Sequence, residues 1–137
     1  MEVQRTGLQF MTPEFEGETD STLRVTLFPA TIDEVRSRVG METYYIDQII
    51  AQNAQSLQRF ILDARHVPQM SSTHWKQFIG TISKARRALR KDTLDTTHQV
   101  SCENLPAHII EVARLTLIHK IADLHELGAD FTPQSAP

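Results

Sequence analysis

The sequence has 137 residues, of which 40% are hydrophobic and 23% charged, and its formal net charge is −3. This length and composition predict one globular domain with a single core, and the acidic balance argues against nucleic acid as a partner. Cys102 is the sole cysteine, which excludes an intrachain disulfide and favours a reducing compartment. No apolar run suits a signal peptide or a membrane span, so we expect a cytoplasmic protein.

The N-terminal region predicts a β-hairpin. Leu8 to Met11 is a short apolar run that the following Thr-Pro pair would end, and the acidic stretch Glu14 to Asp20 is typical of a loop. Leu23 to Leu27 then alternates apolar and polar residues, which is the pattern of a half-buried strand. We therefore expect two strands joined by the acidic loop.

Two helical segments are expected after this hairpin. Thr31 and Glu34 have the spacing of a capping box, which predicts a short helix from Ile32 to Val39. Gly40 interrupts this pattern, and a longer helix is expected from about Thr43 to Leu57. The sequence leaves open whether Gly40 separates two helices or bends one.

The central feature of the sequence is a strand that leads through a turn into a long helix. Phe60 to Leu62 is continuously apolar, as in a strand covered on both faces, and Pro68 marks the turn after it. Ser71 or Ser72 can cap the helix, because a serine hydroxyl accepts a hydrogen bond from an unpaired amide of the first turn. The apolar stripe of this helix comprises Trp75, Phe78, Ile79, Ile82 and Leu89.

Side chains near this helix start are expected to divide between core and surface. Trp75 opens the apolar stripe and is expected in the core. His74 and Gln77 are expected to be exposed beside the turn, where a partner would dock. Further along the chain, Cys102 lies within a predicted strand and is expected to point into the core.

The C-terminal part predicts a strand, a helix and a final strand. Residues Lys91 to Thr97 are polar and predict a loop before a strand from His98 to Glu103. Pro106 is placed to start a helix that continues from Ala107 to Leu115. A last strand is expected near Ala122 to His125.

The order of these elements predicts an α/β fold. Strands that alternate with helices give a mixed, mostly parallel sheet of four to five strands packed with about four helices, and the first hairpin adds an antiparallel edge. Residues 1–127 would form this single domain. The tail 128–137 has two prolines and small polar residues, so we expect it to be disordered.

Three segments carry a family resemblance. Phe60 to Asp63, followed by Val67-Pro68, has the form of a central strand and its turn. Val100 to His125 reads as a strand, a proline-started helix, a Leu-Thr-x-Leu turn and a final strand. With Met70 to Thr73 between them, these segments resemble the STAS domain, the fold shared by anti-sigma factor antagonists and sulfate transporter tails. The Met-Ser-Ser-Thr segment lies where that family has an Asp-Ser-Ser-Gly signature.

The resemblance implies a non-enzymatic regulator that binds a protein partner, an anti-sigma factor or serine kinase. In the family, the second serine of the signature accepts a phosphate from that partner, and Ser72 has this position here, with Ser71 and Thr73 as weaker candidates. A phosphate adds about −1.5 to −2 charges, and the amides of a helix N-terminus can hold an anion. The implied partner-binding residues are Pro68, Gln69, Met70, Ser71, Ser72, Thr73, His74 and Gln77.

Two alternatives are left open by the residues. In the first, Ser71 and Ser72 only cap the helix, and the protein is an unphosphorylated STAS-like scaffold or adaptor that joins a stable complex or forms a homo-oligomer. The second is a small-molecule sensor or enzyme with a pocket near Tyr44, Tyr45 and His98. No Cys/His spacing suits a metal and no motif suits a cofactor or a catalytic nucleophile, so we expect none of these.

Overall fold

A computed structural model describes residues 10–17, 21–89 and 99–127 of the chain. The strands are β1 (Met11–Glu16), β2 (Thr22–Leu27), β3 (Arg59–Asp63), β4 (Val100–Leu105) and β5 (Asp123–Glu126). The helices are α1 (Ile32–Glu34), α2 (Gly40–Gln52), α3 (Ser72–Leu89) and α4 (Ala107–Leu115), with a π-helical turn Val35–Val39 and a 3₁₀ turn Ile118–Lys120. The strands form one sheet in the order β1-β2-β3-β4-β5.

The sheet is mixed and mostly parallel. Strand β1 pairs antiparallel with β2, whereas the other neighbouring strands pair in parallel. Helices α2, α3 and α4 connect the parallel strands, and α3 contacts both α2 and α4. The predicted α/β fold with an antiparallel first hairpin is confirmed. Three helices rather than about four cover the described sheet, because α1 is a single turn that continues towards α2.

The first strand differs from the expected one. It includes Pro13 and extends to Glu16, so the expected strand end at Pro13 and the expected loop start at Glu14 are both wrong. Among the described strands β1 pairs only with β2, and its outer edge therefore needs no ladder hydrogen bonds and tolerates a proline. Gly17 follows the last strand residue, Glu16, and its φ of +89° suits glycine. Leu8, the expected start of the strand, lies outside the described residues.

One continuous helical segment follows β2. The capping box is confirmed, because the Glu34 amide donates to Oγ1 of Thr31 (3.2 Å) and the Thr31 amide donates to Oε1 of Glu34 (2.8 Å). Gly40 has helical dihedral angles, with φ −60°, and the π-helical turn leads directly into α2. Of the two alternatives that the sequence left open, Gly40 therefore does not separate two helices, and α2 begins at Gly40 rather than near Thr43 as expected.

Helix α2 ends earlier than expected. It stops at Gln52, whereas the sequence predicted a helix as far as Leu57. Asn53 closes the helix, because its side-chain amide donates to the carbonyl oxygen of Ile49 (2.8 Å) while its own backbone leaves the helical region. Leu57 is fully buried in the loop before β3, so its apolar character reflects burial rather than helix.

Strand β3 lies at the centre of the sheet. Phe60 and Leu62 are fully buried in the apolar core, and Ile61, which alternates to the opposite face, is also buried. The continuous apolar run was thus correctly predicted as a strand covered on both faces. The core around it includes Leu23, Val25, Leu27, Ile46, Ile50, Trp75, Phe78, Ile82, Val100 and Cys102.

The C-terminal elements follow the predicted order. Helix α4 has its predicted bounds, with Pro106 as its N-cap residue, and β5 confirms the last strand. Strand β4 begins at Val100 and ends at Leu105, two residues later than the predicted end. Three predicted features lie outside the described residues: the loop 91–97, His98 and the tail 128–137.

In the described part of the chain, no helix is long and apolar enough to cross a membrane.

Cys102 is expected to be unreactive in the folded protein. Its thiol is buried, and this burial raises its pKa to about 12, so little of the reactive thiolate exists at neutral pH. Reaction with Ellman's reagent should therefore proceed no faster than unfolding. A Gln48→Cys variant at an exposed position of α2 provides a fast-reacting control thiol. Fast modification of Cys102 in the native wild type would contradict its place in the core.

Candidate functional site

The loops that follow β2 and β3 line a cavity of about 410 Å³ that is partly open to solvent. Its walls are Pro29 to Ile32 after β2 and His66 to Ser71 after β3, together with His74 on the first turn of α3. In open α/β sheets, ligands usually bind outside the carboxyl ends of the strands. Most of the predicted partner-binding segment lies at this same edge.

The turn after β3 is fixed to its neighbours. The Ala64 amide donates to the carbonyl oxygen of Glu103 on β4 (2.9 Å), and the Met70 amide donates to that of Val67 (3.2 Å). Both Val67 and Met70 are buried, and His108 on α4 donates from Nε2 to the carbonyl oxygen of Met70 (2.6 Å). The turn is therefore anchored to β4 and α4, which fixes the point where α3 begins.

The two serines at the start of α3 have different environments. The Oγ of Ser71 accepts a hydrogen bond from the His74 amide (3.1 Å), so Ser71 is the N-cap residue. Ser72 is the first residue of α3, and its side chain is exposed. The sequence predicted a cap at either serine, and the structure assigns it to Ser71.

His74 is buried, and the expectation that it is exposed is wrong. Its side chain is 2% exposed and packs on Phe78, with ring centroids 5.2 Å apart. Its Nε2 atom has no hydrogen-bond partner among the described residues. Burial lowers its pKa to about 4, so the imidazole is neutral at physiological pH.

The stability of the protein is expected to fall in mildly acidic solution because of His74. The His74 imidazole takes up a proton near pH 6.5 in the unfolded chain but only near pH 4 in the folded protein. The contribution of His74 to stability is therefore fully present above about pH 6.5 and declines as the pH falls from 6.5 to about 4. The loss reaches about 3 kcal/mol at most. Urea unfolding across this range measures it. His74→Phe should abolish this component, and the exposed control His119→Gln should keep it; equal slopes in all three proteins would contradict the assignment.

The predicted partner-binding residues form a mixed surface. Gln69 and Ser72 are exposed, whereas Met70 is 1% exposed and lies in the core with the buried His74. Partial exposure is shared by Pro68, Ser71, Thr73 and Gln77. A partner at this surface would therefore contact the exposed and partly exposed side chains, and Met70 and His74 would support them from beneath. Trp75, predicted as core, is fully buried.

A second histidine lines the cavity on its β3 side. His66 is largely buried and stacks on Phe28 from the end of β2, with ring centroids 5.1 Å apart and planes inclined by 11°. Burial, with a smaller contribution from the charge of Arg65, lowers the pKa of His66. The stacked pair links the β2 and β3 loops.

An ion-pair network joins β2, β3 and β4 near the same edge. Oδ2 of Asp63 accepts from Nη1 of Arg24 (3.0 Å) and from Nε of Arg65 (2.7 Å). Its Oδ1 accepts from the Arg65 amide and from Nδ2 of Asn104, both at 3.0 Å. Arg24 also donates to Oε1 of Glu103 (3.1 Å). Both oxygens of Asp63 are thus committed to structural contacts.

The protonation of Asp63 reflects this network. Burial by itself would raise the pKa of this carboxyl, but hydrogen bonds from Arg65 and Asn104 and the charge of Arg65 outweigh burial and lower it. Asp63 is therefore a charged structural group at neutral pH rather than a proton donor or acceptor for chemistry.

The alternative of a pocket near Tyr44, Tyr45 and His98 involves tyrosine side chains that lie away from the cavity at the strand ends. Tyr44 is 63% exposed and Tyr45 is partly buried, both on α2, and neither lines the cavity at the strand ends. His98 lies outside the described residues. Within the described ranges no group of His, Cys, Asp and Glu side chains has the arrangement of a metal site.

Some features of this edge escaped the sequence reasoning. The wall from Pro29 to Ile32 was read only as the end of a strand and the start of a helix, and the pairing of Arg24 with Asp63 was not expected. The available signals for this pair were the charge of Arg24 on the polar side of β2 and the acidic Asp63 at the end of β3.

A scan of protein-family models and a search of curated proteins found no match for this chain.

Proposed function

We propose that this protein is a STAS-like signalling regulator that binds a protein partner, an anti-sigma factor or serine kinase, through residues 68–77. Phosphorylation of Ser72 weakens this binding. The observation that carries the proposal is the exposure of Ser72 on the first turn of α3, beside the exposed Gln69 of an anchored turn. A kinase can reach such a hydroxyl, and a partner that covers the turn would contact it.

The order of elements around Ser72 supports the proposed family. The central strand β3, the turn after it and the helix start follow the segments on which the resemblance depends. Strand β4, the Pro106-capped α4 and the final β5 have the order of the closing pattern.

The separate roles of the two serines suit a switch that acts on the surface alone. Because Ser71 caps α3, a phosphate on Ser72 leaves the capping hydrogen bond intact. The phosphate would add about −1.5 to −2 charges at a helix N-terminus, where unpaired amides and the helix dipole stabilise an anion. A partner that fits the uncharged surface would then lose affinity through the cost of desolvating the phosphate.

An unphosphorylated scaffold or adaptor is the second candidate, and Met70 favours it. Met70 occupies the position of the acidic residue in the family signature, and here it is buried in the core without a charge. A kinase that depends on that acid would not recognise this turn. The protein would then bind its partner regardless of ATP.

The proposed switch is tested by measuring affinity for a partner captured by the wild-type protein from its host. Ser72→Asp is expected to weaken this binding by at least about tenfold, or 1.4 kcal/mol. Ser56→Asp is the matched control, because Ser56 is an exposed serine before β3, at the opposite edge of the sheet, and should bind like the wild type. Wild-type affinity in the Ser72→Asp variant would exclude the switch and leave the scaffold.

A further inference from the structure

The end of α4 exposes two leucines. Leu115, the last residue of α4, is 84% exposed, and Leu117, in the turn that follows, is 61% exposed. Because so little of either side chain is covered, both project from the surface rather than lying in a groove. Leaving this apolar surface in water is unfavourable, and packing within the fold recovers little of that cost.

The backbone at Leu117 adds a second cost. Its φ of +63° lies in the left-handed region, where the Cβ atom of a residue crowds the following carbonyl oxygen. Glycine is the usual residue in this conformation just after a helix. Leu117 therefore combines a strained backbone with an exposed apolar side chain, and neither feature stabilises the fold. Strain of this kind is concentrated at functional positions in proteins.

The turn that carries Leu117 is well anchored. On one side, the hydroxyl of Thr116 donates to the carbonyl oxygen of Val112 (3.0 Å) and so closes α4. On the other side, the Lys120 amide donates to the carbonyl oxygen of Leu117 (3.1 Å), and the side chain of Ile118 is buried in the core. The turn is therefore held in place before any contact forms, which lowers the entropy cost of binding.

The charges that flank the two leucines are positive. Arg114 and Lys120 are exposed, and neither forms an ion pair with a described residue. Residues 113–122 include no acid, although the whole chain has a formal net charge of −3. The nearest acids along the chain are Glu111, one turn earlier on α4, and Asp123 in β5. The exposed apolar side chains thus lie between two free cations.

Further cations lie at the same edge of the sheet. Helices α3 and α4 each run back from the carboxyl end of one parallel strand to the start of the next, so both helices end at the edge where the strands begin. The last turn of α3 contains Arg86 and Arg87, and α3 contacts α4. Residues 68–77 follow the carboxyl end of β3 and therefore lie at the opposite edge.

We propose that the segment 114–120 docks on the surface of a lipid bilayer that contains anionic lipids. The two leucines enter the boundary between headgroups and acyl chains, while Arg114 and Lys120 contact the lipid phosphates. An apolar centre flanked by cations matches the two layers of such a surface. The proposal does not depend on the proposed partner or on Ser72, because residues 68–77 lie at the other edge and stay accessible.

The geometry and charge of this segment favour a bilayer over other occupants. A bilayer accepts projecting side chains without a shaped pocket, whereas a protein partner would have to supply one for each leucine. A second copy of the chain would bring like charges together at Arg114 and Lys120, which disfavours self-association through this surface.

Vesicle binding of the full-length protein tests this docking. The protein is sedimented with vesicles of phosphatidylcholine alone and with mixed vesicles of phosphatidylcholine and phosphatidylglycerol in equal parts. We expect saturable binding to the mixed vesicles at low salt. Binding to phosphatidylcholine alone should be at least about tenfold weaker, because those vesicles carry no net charge to attract the cations. Absence of binding to the mixed vesicles, or equal binding to both compositions, would overturn the proposal.

A Leu117→Gly variant separates membrane binding from folding. Glycine adopts the left-handed conformation without strain, so the variant should unfold at nearly the same urea concentration as the wild type. It also removes an inserted side chain, so binding to mixed vesicles should fall at least about fivefold. The matched control is Met41→Gln, which removes a side chain that is 72% exposed at the start of α2, at the opposite edge, and should bind like the wild type. Wild-type vesicle binding by Leu117→Gly would contradict the docking.

Two more variants keep the test decisive. Leu115→Gln changes an exposed position with no backbone strain and should also lose at least about fivefold, so it decides if Leu117→Gly does not fold. Lys120→Gln should weaken mixed-vesicle binding about fivefold, whereas Arg36→Gln, which removes an exposed cation at the opposite edge, should not. If these variants lose a captured host protein and the wild type binds no vesicles, the surface is a protein interface and the membrane proposal is overturned.

Discussion

Replacing Asp63 with alanine is expected to lower the free energy of unfolding by about 3 kcal/mol, the lower end of the usual cost of removing one partner from a buried ion pair. The Asp63 side chain is 1% exposed and pairs with Arg24 and Arg65. The lower end applies because Arg24 keeps other acceptors and Arg65 is partly exposed to water. Urea unfolding followed by the fluorescence of Trp75, the sole tryptophan, measures the change.

Glu16→Gln is the matched control for this prediction. Glu16 pairs with the same Arg24 at 3.1 Å, but its side chain is 40% exposed. Exposed ion pairs contribute about 0–1 kcal/mol, so this variant should unfold almost like the wild type. An Asp63→Ala variant that loses no more stability than Glu16→Gln would contradict the importance of the buried carboxylate.

The contributions of Asp63 and His74 to folding stability are expected to change in different pH ranges. The pKa of Asp63 is lowered from 3.8, so its contribution is present above pH 3.8 and is lost as the pH falls through the lower folded value. The His74 contribution is lost earlier, between pH 6.5 and about 4. A pH series with both single variants therefore separates the two groups.

Truncating Trp75 to alanine is expected to cost about 3–5 kcal/mol. Trp75 is fully buried on α3 within the apolar core. Its Nε1 has no hydrogen-bond partner among the residues described, so the loss comes from packing and not from a broken hydrogen bond. Because a small domain is stable by only about 5–15 kcal/mol, the variant should unfold at much lower urea concentration, as circular dichroism would show.

Tyr44→Ala provides the control for this truncation. Tyr44 is an aromatic residue on α2 with 63% of its surface exposed, and substitutions at such positions usually change stability by less than about 0.5 kcal/mol. If the two variants lost similar stability, Trp75 could not be the main contact of α3 with the core. The start of α3, with both serines, would then have a different anchor.

The elements that were predicted correctly are those whose sequence pattern spans only a few consecutive residues. Phe60 to Leu62 is apolar at every position, which requires burial on both faces, and Pro106 followed by an apolar period is sufficient to define α4. The capping box of Thr31 and Glu34 is equally local. In each case the physical cause and the signal lie in the same short segment.

The wrong boundaries depend on neighbours that are distant in sequence. Pro13 fits within β1 because that strand has a single described neighbour, and this is a property of the sheet order. Gly40 stays helical because the segment around it packs on α3, which offsets the low helix propensity of glycine. Neither fact is visible in the local pattern.

The candidate site was predicted only in part for the same reason. The turn and helix start from Pro68 to Gln77 were identified, but the cavity needs a second wall from the β2 loop. The burial of His74 follows from its i, i+4 relation to Phe78, and the polar character of histidine concealed it. If helix residues had been assigned to the core by their spacing alone, regardless of polarity, His74 would have been placed in the core beside Trp75.

The most direct test of the proposed function is phosphosite mapping of the protein from its native host, separated by size-exclusion chromatography into free and partner-bound pools. Phosphorylation at Ser72 that is enriched in the free pool is the result we expect, because the phosphate should release the partner from residues 68–77. Equal phosphorylation of Ser72 in both pools, or no phosphate on Ser72 in either pool with and without stress, would contradict the switch.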